Sequence, residues 1–440
     1  MSRHALLPTT TLLAYGGPYC ALAALLFFVQ FYFLKFSTDV LLLPPAAVGG
    51  LFAAAKLWDA VSNPLVGGWS DRTVSHFGRR RPFLFAALPL LGAAFVTLWT
   101  PPEGLSDGLL IAWVGAALFV FFSAFALYAV PHAALGAELS GDSHQRTRLF
   151  AGKQMSFTLG MLLAFVAIQG AMNAATPRAA TAAMVRPAAL VALLVLAITP
   201  LSIREPRHAR TGGRSLVGGL RDVLANSPAR TLLLVWFIES LGVGAVGTMA
   251  PYIAQYVLRR PDIVGTLPAA YVVSAIISIP LWVRLSRRFG GRDTWLAAML
   301  LAAAGFGATL FIGAGDVSLA IALLIFAGTA MGCGSVLSSS LMADIIDLEA
   351  QRSGERKEGM YSAAMLLALK MGNSLATAAS GLVLGSVGFL PNAEQSADSL
   401  FGMRALFGGM PCIGFLIGAA LFSTFPLGRR TAGAAARDAA

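Results

Sequence analysis

Twelve times along its 440 residues the chain runs apolar for the length of a bilayer crossing, at about residues 14–36, 46–69, 83–100, 109–131, 151–172, 183–200, 231–254, 266–283, 294–314, 318–342, 361–385 and 403–425. A helix of about 20 apolar residues spans the hydrocarbon layer, where backbone N–H and C=O groups must be satisfied within a helix or a closed barrel. These runs are continuous rather than alternating, so they read as helices and exclude a β-barrel. With short connections they use nearly the whole chain and leave no length for an appended soluble domain. Composition agrees, with 57% hydrophobic residues, 12% charged residues and a mean hydropathy of +0.73. Such values exclude a soluble enzyme and a disordered chain. Cys20, Cys333 and Cys412 all fall inside apolar runs and suggest neither a disulfide framework nor redox chemistry. The first run is too long for a signal-peptide core and lacks a convincing cleavage site, so it is expected to stay in the mature protein.

The net charge of +11 could suggest a nucleic-acid partner until the charges are placed on this frame. With the N-terminus inside, 24 basic residues fall in segments on the inner side and 6 on the outer side, leaving Lys56 and Lys370 within spans. That asymmetry is the positive-inside pattern with both termini cytoplasmic. The basicity is topology, and no nucleic-acid partner is expected. The partners expected are a small-molecule substrate and the lipid bilayer, for a chain acting as a monomer.

The longest polar stretch, residues 202–228, separates six spans from six and reads as a cytoplasmic linker between bundles at 1–201 and 229–440. Either side of it the chain repeats weakly: residues 68–80 (GWSDRTVSHFGRR) follow the second span and residues 282–292 (WVRLSRRFGGR) follow the eighth. Gly78 and Gly290 lie 212 residues apart, close to half the chain. Polar loops of similar character, each leading into a helix, follow spans four and ten. Repeated six-helix halves are a transporter architecture, with substrate held near the bilayer midplane and access alternating between the two sides.

In the loop after span two, which begins at Asp71, the arginines Arg72, Arg79, Arg80 and Arg81 can bind carboxylates or helix C-terminal carbonyls across the two halves, a clasp that must break for the inner side to open. This loop resembles the signature of the major facilitator superfamily. Residues 56–71 (KLWDAVSNPLVGGWSD), 128–148 (YAVPHAALGAELSGDSHQRTR), 342–361 (MADIIDLEAQRSGERKEGMY) and 390–403 (LPNAEQSADSLFGM) resemble, more narrowly, the glycoside-pentoside-hexuronide:cation symporter family, the melibiose permease-like transporters. The likeness covers nearly the whole chain. It implies an all-α integral membrane protein of the major facilitator fold, with twelve transmembrane helices in two pseudo-symmetric six-helix bundles. The implied location is the plasma membrane, a bacterial inner membrane.

An ionised side chain at the bilayer centre costs at least about 2.5–3.5 kcal/mol, so each one needs a partner or a water-filled cavity. Asp59 sits mid-span with Lys56 one turn back and Asn63 one turn on, the best candidate cation site. A carboxylate with an amide oxygen can take Na⁺, and a carboxylate alone can carry H⁺. Asp59 and Asn63 match the positions of the family's two cation-binding aspartates, and the second is here an amide. Lys370, with Asn373 and Thr377 on its face, matches a lysine that the family places near the cation, which makes an Asp59 to Lys370 pair the coupling hypothesis. Glu239 in span seven is the third intramembrane charge; as a packing residue it would snorkel to the inner end or cap a neighbouring helix.

The family's two sugar-holding carboxylates have no counterpart here, because the matching residues are Ala23 and Ala129. Candidate substrate contacts are then Tyr19, Gln30, Tyr128, His132, Lys153, Glu239 and Asn373. Arg72, Arg79 and Arg80, with Asp71 and Asp347, are the expected inner gate. The function expected is cation-coupled symport of a sugar or glycoside, with H⁺ favoured over Na⁺ as coupling ion and no cofactor. If Na⁺ is used, Asp59 and Asn63 are its ligands. Loss of both clamp acids keeps a lysophospholipid or other amphiphile open as substrate. A membrane-embedded enzyme or sensor is the remote alternative: the five histidines are scattered, and an appended sensing domain has no room.

Overall fold

The computed structural model describes residues 7–140, 142–203, 205, 216–353 and 358–425. All regular structure among them is helical, and the chain divides into two compact units, Met1–Gly212 and Gly213–Ala440.

The first unit holds α1 (Thr9–Gly16), α2 (Pro18–Asp39), α3 (Pro45–Arg72), α4 (Arg81–Trp99), α5 (Asp107–Glu138), α6 (Ser143–Met172) and α7 (Pro177–Ser202). The first span, expected as one uninterrupted helix, is two, because Pro18 carries no N–H and starts a new helix after Gly17. At the head of α6, the Asp142 side chain accepts from the Gln145 amide at 2.9 Å. Lipid supplies no hydrophobic force between helices, so close contact comes from small residues. A Cβ on Gly160 of α6 would lie 2.0 Å from the Cys20 carbonyl oxygen of α2 and 2.9 Å from Ala23 Cβ. Tyr15 packs its hydroxyl on Gly136 of α5 in the same manner. Near the end of α2 opposite Tyr19, Phe28, Tyr32 and Phe36 pack around Trp99 with centroid separations of 4.8, 5.5 and 5.1 Å.

The second unit holds α8 (Leu216–Ala225), α9 (Ser227–Tyr252), α10 (Thr266–Phe289), α11 (Gly291–Ala308), α12 (Val317–Ser353), α13 (Glu358–Ser386), α14 (Ala397–Arg404) and α15 (Met410–Ser423). A widened π turn at Ile253–Val257 extends α9, and another at Ala405–Gly409 joins α14 to α15 in one span. Gly328 and Gly332 of α12 seat against Tyr271, Ser274, Ala275 and Ser278 of α10, and Gly244 and Gly372 bring α9 onto α13.

Eleven of the described helical stretches are long and apolar enough to cross a membrane. The twelfth expected span, α3, has 28 residues and ample length, but Lys56, Asp59, Ser62 and Asn63 lower its apolarity. The stretch expected to be linker contains α8, while residues 204 and 206–215 lie outside the described residues, as do Gly141 and residues 354–357 of the loops after spans four and ten. The two repeated loops share a backbone device: Gly78 has φ +103° and Gly290 has φ +83°, a conformation that costs glycine nothing.

Candidate functional site

In the first unit the Asp59 carboxyl is 2% exposed at the middle of α3. Ser62 donates to the Asp59 carbonyl at 3.1 Å, and Pro64, which has no N–H, leaves the Ala60 carbonyl without its i+4 donor. The segment DAVSNP thus gathers a carboxylate, an amide, a hydroxyl and a released carbonyl within about one and a half turns. Asn63 is half-buried. Lys56 is buried too, with Nζ 4.5 Å from the Phe122 ring centroid and 3.4 Å from Gln30 Oε1. Gln30 of α2 therefore serves the Lys56 side of this helix.

A second polar group forms where α1, α2, α5, α6 and α7 meet. His132 is fully buried, stacked on Tyr15 at 4.6 Å and Tyr128 at 5.5 Å, with Tyr19 edge-on at 4.9 Å. Its Nε2 lies 3.1 Å from Thr199 Oγ1, and Thr199 spends its one proton on the Ala14 carbonyl at 2.8 Å. The imidazole must then donate from Nε2 and keep Nδ1 as a lone pair, and that atom is enclosed with no partner. Tyr15 Oη is likewise without one. Tyr128 donates to the Leu196 carbonyl at 2.7 Å, so its hydroxyl proton is committed. Lys153 stands 4.3 Å over the Tyr19 ring and 5.4 Å from Phe150, a cation held by π faces. Ala23, where the family resemblance would put a sugar-binding acid, is fully buried against Gly160. The absent carboxylate has left no cavity there, because α2 and α6 have closed on each other.

The loop after α3 is held by carboxylates of the first unit. Arg79 and Arg80 both donate to Glu138 Oε1, at 2.7 and 2.8 Å, and Arg80 also reaches Asp71 at 2.6 Å and Ser70 at 2.7 Å. Glu205 accepts from the backbone N–H groups of Arg79, Arg80 and Arg81 at 2.6–2.7 Å, so a side chain over 120 residues away caps the start of α4. Gly78 lies against the Glu205 carboxyl, where a Cβ would meet it at 2.6 Å. Arg72 is exposed. Sequence reading assigned no role to Glu138 or Glu205; the motif at 128–148 contained the first, and nothing local marked the second. Lys35 is buried against Asp39, which accepts from Thr38 Oγ1 at 2.7 Å.

In the second unit Lys370 and Asn373 are half-buried on α13, and the Asn373 amide donates to the Leu369 carbonyl at 3.0 Å. Thr377 meets Thr248 of α9 at 3.2 Å. Glu239 is 4% exposed on α9, neither snorkelling nor capping. Asp347 is exposed near the end of α12. Asn226 ties the head of α9 to Glu349 at 3.2 Å and Tyr361 at 3.1 Å. Among the described residues no group of three or more His, Cys, Asp or Glu side chains forms a metal-ligand set.

Residues 14–429 match the family described as MFS/sugar transport protein. The chain is 26% identical over 396 residues to the uncharacterized symporter YjmB of Bacillus subtilis (strain 168), covering 87% of this chain and 84% of that one. It is 27% identical over 420 residues to a putative 2,3-dihydroxypropane-1-sulfonate exporter of Salmonella typhimurium (92% and 90%), and 26% identical over 405 residues to the isoprimeverose transporter of Lactiplantibacillus pentosus (88% and 82%). Its fold is similar to that of a bacterial homolog of the human lysosomal transporter Spinster (TM-score 0.72, 14% identity, 94% and 96% covered) and of the D-xylose-proton symporter (TM-score 0.67, 17% identity, 93% and 96% covered). With its apolar helices and its match from the first span to the last, the chain belongs to the MFS/sugar transport protein family and is a multi-pass secondary transporter of the major facilitator superfamily, not an enzyme.

Proposed function

We propose that the chain is a cation-coupled symporter of a sugar or glycoside working by alternating access, with Asp59 as the carrier of the coupling ion. The observation that carries this reading is a carboxyl 2% exposed at the centre of a membrane-length helix, in a member of a sugar-transport family. Asn63 is its second ligand and Lys370 its counter-charge. H⁺ fits better than Na⁺, because one carboxylate suffices for a proton while Na⁺ calls for several oxygen ligands. Tyr19, Tyr128, His132 and Lys153 are the substrate contacts in the first unit. Gln30 and Asn373 supply further amide contacts. Asp71, Arg72, Arg79, Arg80 and Asp347 act at the inner gate. The bacterial relatives and the inner bias of basic residues favour an inner-membrane monomer with both termini cytoplasmic.

A second reading, an amphiphile such as a lysophospholipid, is favoured by the closed contact of Ala23 with Gly160, which leaves no sugar-clamping acid on span one. Uptake into proteoliposomes separates the two. Mono- and disaccharides, glycosides, uronic acids and lysophospholipids are offered under an inward H⁺ gradient, then under Na⁺. Glycoside accumulation that disappears in Asp59→Asn supports the symporter; lipid signals alone move the substrate class; accumulation unchanged in Asp59→Asn removes Asp59 as carrier.

A further inference from the structure

One carboxyl of the second unit has no role in the site described above. Glu239 Oε1 is enclosed without a hydrogen-bond partner, and no ion pair reaches the side chain among the described residues. Its side of α9 faces α15: Glu239 Cγ lies 3.9 Å, and Val235 Cγ1 3.7 Å, from where a Cβ on Gly418 would stand. Of the other helices packed on α9, α10 carries Tyr271, whose hydroxyl is enclosed with no hydrogen-bond partner among the described residues, and α12 carries the buried Cys333. α15 carries Cys412, which sits against Gly307 of α11. α13 packs on α9 through Gly372, seated on the Phe237 carbonyl and Ser240, and carries Lys370. Arg221 and Asp222 of α8 lie about four turns or more back along the chain from it.

An ionised carboxylate enclosed by apolar helices without a partner is strongly disfavoured, whereas the neutral acid is tolerated. The Tyr271 hydroxyl on α10, which packs on α9, is an unused donor for the anion, should the two side chains close the gap between them. We propose that Glu239 is a proton-binding site of the second unit, separate from Asp59. It holds a proton in the conformation described here and releases it when Tyr271 or entering water can solvate the carboxylate. As the proton leaves, the electron pair of the O–H bond stays on the carboxylate, and the proton passes to water. The site stands independently of which solute is carried.

The test needs no substrate. The full chain is reconstituted in lipid with Asp59→Asn as background, so that Asp59 contributes no signal, and the carbonyl stretch of protonated carboxylic acids is followed by infrared absorption as pH rises. A band that is present at neutral pH, vanishes reversibly on alkalinisation and is missing when Glu239→Gln is added is the expected result. Tyr271→Phe, which removes the donor to the anion, should move the loss of the band to higher pH. A band that survives Glu239→Gln, or one that never titrates while the protein stays folded, overturns the proposal. Should Glu239→Gln fail to fold, Glu239→Asp takes its place, and a band whose frequency and titration both stay unmoved in that variant overturns the proposal equally.

Discussion

Asp59 shows how one residue sets the character of a whole span. A carboxyl in the middle of α3 lowers that helix below the apolarity of the other spans, a cost that stability alone does not explain. Asp59→Asn should abolish cation-driven accumulation while substrate exchange down equal gradients stays measurable, as counterflow in proteoliposomes will show. His132 is legible in sequence only as a histidine after a proline. Its tautomer follows from Thr199, 67 residues away, whose proton is committed to Ala14. Thr199→Val removes that acceptor and leaves Nε2–H unpartnered in the enclosure. Apparent substrate affinity should then fall about tenfold, the weight of one lost hydrogen bond to an oriented group, with protein yield little changed. The readout is half-saturating concentration against maximal uptake rate, and a fall in rate alone would place His132 outside the substrate contacts.

Between elements the decisive contacts are made by glycines and by caps from distant segments. Gly160→Val would drive a branched side chain into the Cys20 carbonyl and Ala23, separating α2 from α6 at a cost of about 1–3 kcal/mol, seen as a lower thermal midpoint in detergent. Glu205→Ala strips the start of α4 of an acceptor for three backbone N–H groups, at a cost of about 2 kcal/mol, and should expose residues 73–80 to limited proteolysis. The helices were legible because lipid demands continuous apolar runs. The Glu205 cap was not, since a carboxylate in a polar stretch carries no local mark of the amides it will meet. The arginine loop was legible as a binding loop from its charge and its glycine turn, while its acceptors Glu138 and Glu205 are chosen by how α4, α5 and α7 end together.

For the whole molecule, the two units each have their own interior, one built around Trp99 and the His132 cluster, the other around the α9 to α13 and α10 to α12 contacts. Residues 1–212 and 213–440 expressed separately should each give a cooperatively unfolding helical protein in detergent; a half that stays unfolded on its own would show that its interior is incomplete. The sequence by itself determined the class, the number of membrane-length helices, the family and the rarity of intramembrane charge, because hydropathy, charge asymmetry and loop motifs are local properties that lipid and water read residue by residue. Tertiary structure alone decided which arginine meets which acid, that Ala23 closes against Gly160, which nitrogen of His132 carries its proton, and that Glu239 finds no hydrogen-bond partner among the described residues. Those outcomes depend on side chains that are distant in the chain and brought within a few ångströms by packing, and no local pattern encodes that proximity.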